Sequence, residues 1–408
     1  MKKSALILML CLFHLAVLAG SKNTKTDNSR AISFFYRVGE WVDNFLLSGL
    51  DTNYITLPEH CWSVAVNGGS VGVNSKLVTT FENFSSITLL TRTTPSAGLG
   101  FSVGYRGYGG GYTWDLMHAY GSNLNLSLGS KNIGLEFSRQ VSTNITGDIF
   151  AYHREENSTF HSQFGKGYIW ITNTHLNLWY ALNSAHYSHN AAIKQSYIQR
   201  RSAGSLLLSL SYRASELSVQ DTLTYRGVPI FSIMTDGVTR MITHQVSVGL
   251  GYGINYTPNK GKVLLHAAAY AQLVCYSIDQ ISIAVFDSIK LPGVPRYDIK
   301  PSSPVHVTGN VRAAVSWEIN KWVHLSACAL AYHIRFKSHD DEANALYMGN
   351  WNWQAQISIG VRFGAGRDRV QKALAAENAY PRIGGGFSNY DPGNAKLPRW
   401  LTDFFFSP

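Results

Sequence analysis

The chain has 408 residues, 15% of them charged and 12% aromatic, with 36 glycines, 22 tyrosines and a formal net charge of +10. Few charges, many small residues and many aromatics suit a barrel that faces lipid outside and a narrow lumen inside. The basic residues are scattered, which excludes a nucleic-acid footprint. No CxxC pair occurs, which excludes a disulfide framework or a cysteine zinc site.

Met1-Lys2-Lys3, an apolar run from Ala5 to Leu18 and the small residues Ala19, Gly20 and Ser21 read as a secretory signal peptide, residues 1–19. The run is shorter than the roughly 20 residues a membrane-spanning helix needs. Cys11 lies inside it, away from a lipoprotein exit site. Cys61, Cys275 and Cys328 then remain, the last two inside predicted strands as small packers.

Residues 20–60 form a segment ahead of the barrel. Its stretch Ile32 to Leu47 places Phe35, Val38, Val42, Phe45 and Leu46 on one helical face. Such a helix rests on or plugs the periplasmic mouth, or lies on the membrane or a partner.

Residues 61–363 alternate with period 2. The clearest stretch is Met241 to Cys275, two long strands joined by Pro258-Asn259-Lys260-Gly261. In its first arm Ile242, His244, Val246, Val248, Leu250, Tyr252, Ile254 and Tyr256 share one parity, and Thr243, Gln245, Ser247, Gly249, Gly251, Gly253, Asn255 and Thr257 the other. Sixteen residues exceed the usual globular strand of roughly 5–6 and suit a tilted bilayer crossing.

Predicted strands run, in order, over 62–73, 84–93, 99–116, 124–128, 133–150, 168–182, 199–213, 241–256, 262–275, 305–319, 322–337 and 351–363. The third flips parity inside Gly107 to Gly111, which reads as a β-bulge or bend. The fold class is therefore all-β, a closed antiparallel transmembrane barrel of about twelve strands, with ten or fourteen also open. Connections at Pro95, Ser130, Pro258 and Asn320 are short, and those at about 153–167, 214–240, 278–304 and 338–349 are long. That rhythm puts the short turns in the periplasm. The connection 183–198 is too long for a tight turn and leaves room for a small helix or a strand extension. Residues 364–408 lose the alternation and read as a periplasmic tail.

Asp51-Thr52-Asn53-Tyr54-Ile55-Thr56-Leu57-Pro58 with Trp62, Gly98 to Phe101 with Gly104-Tyr105-Arg106-Gly107, and Gln199-Arg200-Arg201-Ser202-Ala203-Gly204-Ser205 are shared landmarks. On these the chain, from Asp51 to Phe363, resembles an uncharacterised outer-membrane barrel family, a domain-of-unknown-function family of Gram-negative anaerobes. The resemblance implies an outer-membrane location and brings no established activity and no functional residues.

Parity assigns Arg106, Glu136, His175, Arg213, Gln245, His306, Arg312, Glu318, Gln354 and Arg362 to the lumen. Charges there need water or one another. Arg312, Arg362 and Glu318 either form an ion-paired plug or give the lumen a basic bias toward small anionic solutes. His244 stands among outward apolar residues, as a packed or a functional histidine. No nucleophile motif and no HExxH or paired histidine spacing occurs, so no catalytic, metal or cofactor residue is assigned. The expected function is a narrow channel or solute-binding barrel without catalysis. A partner-binding scaffold on the loops 214–240 and 278–304, or a lipid-modifying hydrolase, are the alternatives. Asp340-Asp341-Glu342 holds a cation or is a solvated run.

Overall fold

The computed structural model describes residues 50–364 except 81–84, 95–96, 106, 117–120, 131, 154–156, 220–223, 226–227, 230–237, 259–261, 284–295, 300–304 and 341–343. The leader, the predicted helix 32–47, Arg106, the acidic run after Asp340 and the tail from 365 lie outside the described residues.

Twelve antiparallel strands make the ring: β1 (Trp62–Thr80), β2 (Gly98–Tyr105), β3 (Tyr108–Asp115), β4 (Ser122–Gly129), β5 (Ile133–Ser142), β6 (Ile169–Ala181), β7 (Ala203–Val219), β8 (Val238–Tyr256), β9 (Val263–Ile283), β10 (His306–Glu318), β11 (Val323–Asp340) and β12 (Asn344–Phe363). Each pairs with its successor, and β1 pairs with β12 from Trp62↔Phe363 to Thr80↔Ala345, which closes the sheet on itself. Closure removes the unpaired edges that an open sheet would expose.

Alternation decides which face points where. On β8 Thr243, Gln245, Ser247 and Asn255 are buried, while Leu250 and Tyr252 are 55% and 54% exposed. Leu206, Leu208 and Leu210 on β7 and Ile357, Ile359 and Val361 on β12 are exposed likewise. An apolar exterior around a polar interior inverts the soluble pattern. Aromatic residues bound this band. Tyr256, Trp317, Trp322 and Phe363 are exposed near the short-turn end. Toward the other end, the Tyr212 hydroxyl and His244 Nδ1 share a hydrogen bond of 2.8 Å, and Trp351 packs on His333.

The count of twelve holds, but its membership differs from the sequence reading. The predicted second strand is not in the ring. Its residues, Ser85–Thr93, pair with the upper half of β1 (Asn74↔Arg92 to Thr80↔Ser86) and with a strand Ile145–His153, which carries a further strand Ser158–Phe164. The predicted third strand is instead a hairpin, β2–β3, which reverses between Tyr105 and its partner Tyr108. A two-residue turn reverses the chain and flips its parity, which mimics a bulge in sequence. Gly107 at φ +100° takes the left-handed conformation the turn requires. The predicted fifth strand breaks at 143–144, below the strand Ile145–His153. The predicted turn at Pro95 lies outside the described residues. The wall forks between Ser85–Thr93 and β2, where the Thr94 amide donates to the Asn144 carbonyl at 3.0 Å. Above that fork the strand Ser85–Thr93 pairs directly with Ile145–His153; below it the hairpin β3–β4 fills the gap between β2 and β5. A true bulge does occur on β9, where Val246 faces Tyr276 and Ser247 faces Val274. Cys275 is the extra residue and is exposed rather than packed.

Candidate functional site

At the loop end Val73, Leu77, Leu89, Ile145, Ile149, Phe164, Ile169, Ile171, Leu217, Met241 and Met348 form a buried apolar cluster inside the ring. Burial from water keeps these side chains together as in any soluble core.

Below it, opposite walls touch through polar side chains. Asn173 on β6 donates its Nδ2 to Asn352 Oδ1 on β12 at 2.6 Å. Asn350 donates to Ser215 at 3.0 Å, and Gln245 Nε2 donates to the Arg335 carbonyl at 2.5 Å. Arg213 donates Nη1 to the His333 carbonyl at 2.9 Å, reaches Gln272 with Nη2, and lies over the Tyr332 ring. None of these joined strand pairs are neighbours in the ring.

The short-turn end is filled on one side by residues 182–202. They hold a helix α1 (His189–Ile193), and Ile198–Gln199 pairs with Ile55–Thr56. Tyr187, Ser188, His189, Asn190, Ala191 and Ala192 are buried. The segment is held by specific bonds. Asn255 donates to the Ser188 carbonyl at 2.8 Å, Asn190 to the Ser130 carbonyl at 2.9 Å, and Gln199 accepts from the Ser188 amide at 3.0 Å. Tyr187 and His189 share a hydrogen bond of 3.0 Å, and Trp179, His266 and Tyr270 surround them. Gly253 lets Tyr187 approach, since a Cβ there would collide with the tyrosine hydroxyl.

Two ion pairs tie this segment to the wall. Arg312 on β10 donates both terminal nitrogens to Glu136 on β5, at 2.9 and 2.6 Å, and lies 3.3 Å from His189 Nε2. Arg362 on β12 grips Glu318 on β10 and donates to the Gln195 carbonyl at 3.1 Å. A planar guanidinium suits such bidentate pairing. Burial, His266 and Arg312 hold the His189 imidazole well below its usual range. Burial also lowers the Lys194 ammonium, against the opposing pull of Glu136. At the mouth, Asp51 accepts from the Asn53 amide and lies near His186, and both keep its carboxyl below the usual carboxylate value.

The other side of the short-turn end is open. A cavity of about 160 Å³ reaches from His60, Trp62 and Gly107 at the rim to His175 and Gln354 at mid-barrel. Small residues such as Ala65, Ser102, Gly109, Ser127 and Ser358 make the room. Glu136, Lys194, Arg312 and Arg362 line it.

Of the parity-assigned residues, Glu136, His175, Arg312, Gln354 and Arg362 meet around this cavity. Glu318 stands behind Arg362, while Arg213 and Gln245 belong to the crossing network above. His306 lies on the inward parity of Thr308 and Asn310. The supposed single cluster of Arg312, Arg362 and Glu318 is two separate pairs, because Glu136 takes Arg312. Sequence reasoning missed Tyr187, His189, Lys194 and Gln195. The available signal was the excess length of their connection among short turns. Among the described residues no three His, Cys, Asp or Glu are grouped to hold a metal ion.

No curated protein matches the chain. Residues 50–363 match the family described as "Domain of unknown function (DUF4421)". Among solved structures, the outer membrane protease OmpT from Escherichia coli is 8% identical, with a TM-score of 0.35, covering 76% of this chain and 98% of that one. The outer membrane protein OprG from Pseudomonas aeruginosa is 10% identical at 0.27, covering 76% and 99%. The COG4313 outer membrane channel from Pseudomonas putida F1 is 11% identical at 0.24, covering 77% and 99%. Likenesses this low carry no residue role or activity to this chain.

Proposed function

The chain belongs to the DUF4421 family, and from that premise we propose that it is an outer-membrane barrel of a Gram-negative cell that takes a small solute, anionic by preference, into its lumen without catalysis. The cavity of about 160 Å³ is the observation that carries this reading: it is lined by polar and charged groups and reaches the short-turn rim. Its entrance faces the periplasm when short turns do. The crossing side chains and the apolar cluster above favour a binding barrel over an open pore.

The membrane location draws support from the aromatic residues. Trp351 and Phe363 are twelve residues apart on β12, as are His244 and Tyr256 on β8. Twelve residues at roughly 3.3 Å each, tilted by about 45°, span about 28 Å along the membrane normal, close to the apolar height of outer-membrane barrels.

Single-channel recording in planar bilayers, together with solute binding in detergent, tests the proposal. A silent barrel with saturable binding is the expected result. Steady large openings would replace it with an open channel. Silence without binding of any small solute would favour a scaffold.

A further inference from the structure

The two ends of the barrel differ in charge. The connections at the short-turn end, 106–107, 130–132, 182–202, 257–262 and 319–322, carry eight lysines and arginines and no aspartate or glutamate. The long connections, 153–167, 214–240, 278–304 and 338–349, carry seven basic and eleven acidic residues. Turns that hold cations alone give their end of the molecule a field that attracts anions.

Two of these cations border the outer face of the wall. The turns 257–262 and 319–322 lie side by side, since the Glu318 amide donates to the Lys262 carbonyl at 2.8 Å and Val263 is paired with Trp317. Lys262 and Lys321 are exposed on them. Lys321 Nζ lies 5.5 Å over the Trp322 ring and 3.7 Å from Glu59, in an ion pair open to solvent on both sides. Among the described residues no carboxylate lies within ion-pair distance of Lys262. Arg200 and Arg201 are also exposed, with Arg201 over the Tyr54 ring and near Asp51. The adjoining Ser202 hydroxyl accepts from the Thr257 amide at 3.0 Å, which joins them to the same arc. Next to the two lysines the outer face is apolar: Trp317, Ile319 and Trp322 are exposed, and so are the register partners Leu265 and Val315.

We propose that this arc binds an anionic phospholipid, its phosphate over the adjoining turns of Lys262 and Lys321 and an acyl chain along Leu265, Val315 and Trp317. Indole rings settle where headgroups meet acyl chains, and cations at that level attract anionic lipid. The cations border the exposed apolar belt and recur from one connection to the next along the rim. That placement matches a plane of headgroups better than a single soluble acidic partner, which needs one compact patch. The inference rests on the membrane location of the barrel and is independent of any solute in its lumen.

Electron spin resonance tests it, with the full-length protein refolded into phosphatidylcholine vesicles that carry spin-labelled phosphatidylglycerol or spin-labelled phosphatidylcholine. The lipid immobilised on the barrel should favour phosphatidylglycerol by about fivefold at low salt, the factor one available lysine supplies at a membrane surface. The preference should collapse at about 1 M salt, where screening confines charge interactions to roughly 3 Å. Lys262→Gln with Lys321→Gln should remove most of the preference, while Lys76→Gln at the other end leaves it unchanged. Heat-modifiable gel migration shows that each variant has folded. Equal association of both lipids with the folded parent would overturn the proposal, as would a preference that survives the double substitution. Salt-sensitive binding of polyglutamate without lipid selectivity would assign the cations to an acidic macromolecule instead. A parent chain that never inserts into vesicles would remove the membrane location, and this inference with it.

Discussion

Glu136 and Arg312 come from β5 and β10, which are not neighbours in the ring, and their two-pronged contact spans the lumen. Removing one partner of such a buried pair costs more than removing both, because the survivor is left charged and dry. Glu136→Gln should therefore destabilise the barrel by about 3–5 kcal/mol, and Glu136→Gln with Arg312→Met should recover most of that loss. Urea unfolding in detergent checks this; additive losses in the double variant would show that the pair is not coupled. Parity alone places both residues inward, yet it cannot name the partner, since cross-lumen distances depend on strand tilt and closure rather than on alternation. His189 gives a pH dependence of definite sign. Burial holds its imidazole neutral when docked, whereas the undocked residue takes a proton below about pH 6.5. Docking of residues 182–202 is thus fully stabilised above that pH and weakens as pH falls below it. Amide exchange of residues 187–195 should accelerate on acidification beyond the intrinsic rate change, and His189→Phe should remove the effect.

At the scale of elements, the long strands were legible because alternation over sixteen residues has no competing explanation, as on β8 and β12. The hairpin β2–β3 was not. Its reversal flips parity as a bulge does, so only the pairing of Tyr105 with Tyr108 separates the two. Residues 182–202 were illegible for another reason. Their burial rests on cross-chain bonds such as Asn255 to Ser188 and Arg362 to Gln195, which no local period encodes. The segment is nonetheless separable from the wall that holds it. Gly253→Val places a side chain where the Tyr187 hydroxyl now lies. Overpacking of this kind costs about 1–3 kcal/mol, and the segment yields before the ring because β8 keeps its ladders to both neighbours. The expected outcome is faster amide exchange in residues 187–195 with unchanged heat-modifiable gel migration. Loss of the migration shift would place Tyr187 in the barrel's own core instead.

For the whole molecule, the decisive physical contrast is between its two surfaces. Inside, polar side chains bond to one another across a closed ring and leave room on one side of the short-turn end. Outside, leucine, isoleucine and valine are exposed in a belt bordered by aromatics. In water such a belt is an aggregation surface, but in a bilayer it is the solvent-matched face. Leu250 sits near the middle of β8, 55% exposed, and separates the two environments by magnitude. An arginine there costs about 2–4 kcal/mol if lipid surrounds it, and within roughly 0.5 kcal/mol of nothing if water does. Refolding of Leu250→Arg into phospholipid vesicles, followed by denaturant titration, should show the larger loss. A variant as stable as the parent would mean that the belt does not face lipid, and the periplasmic entrance assigned to the cavity would lose its basis.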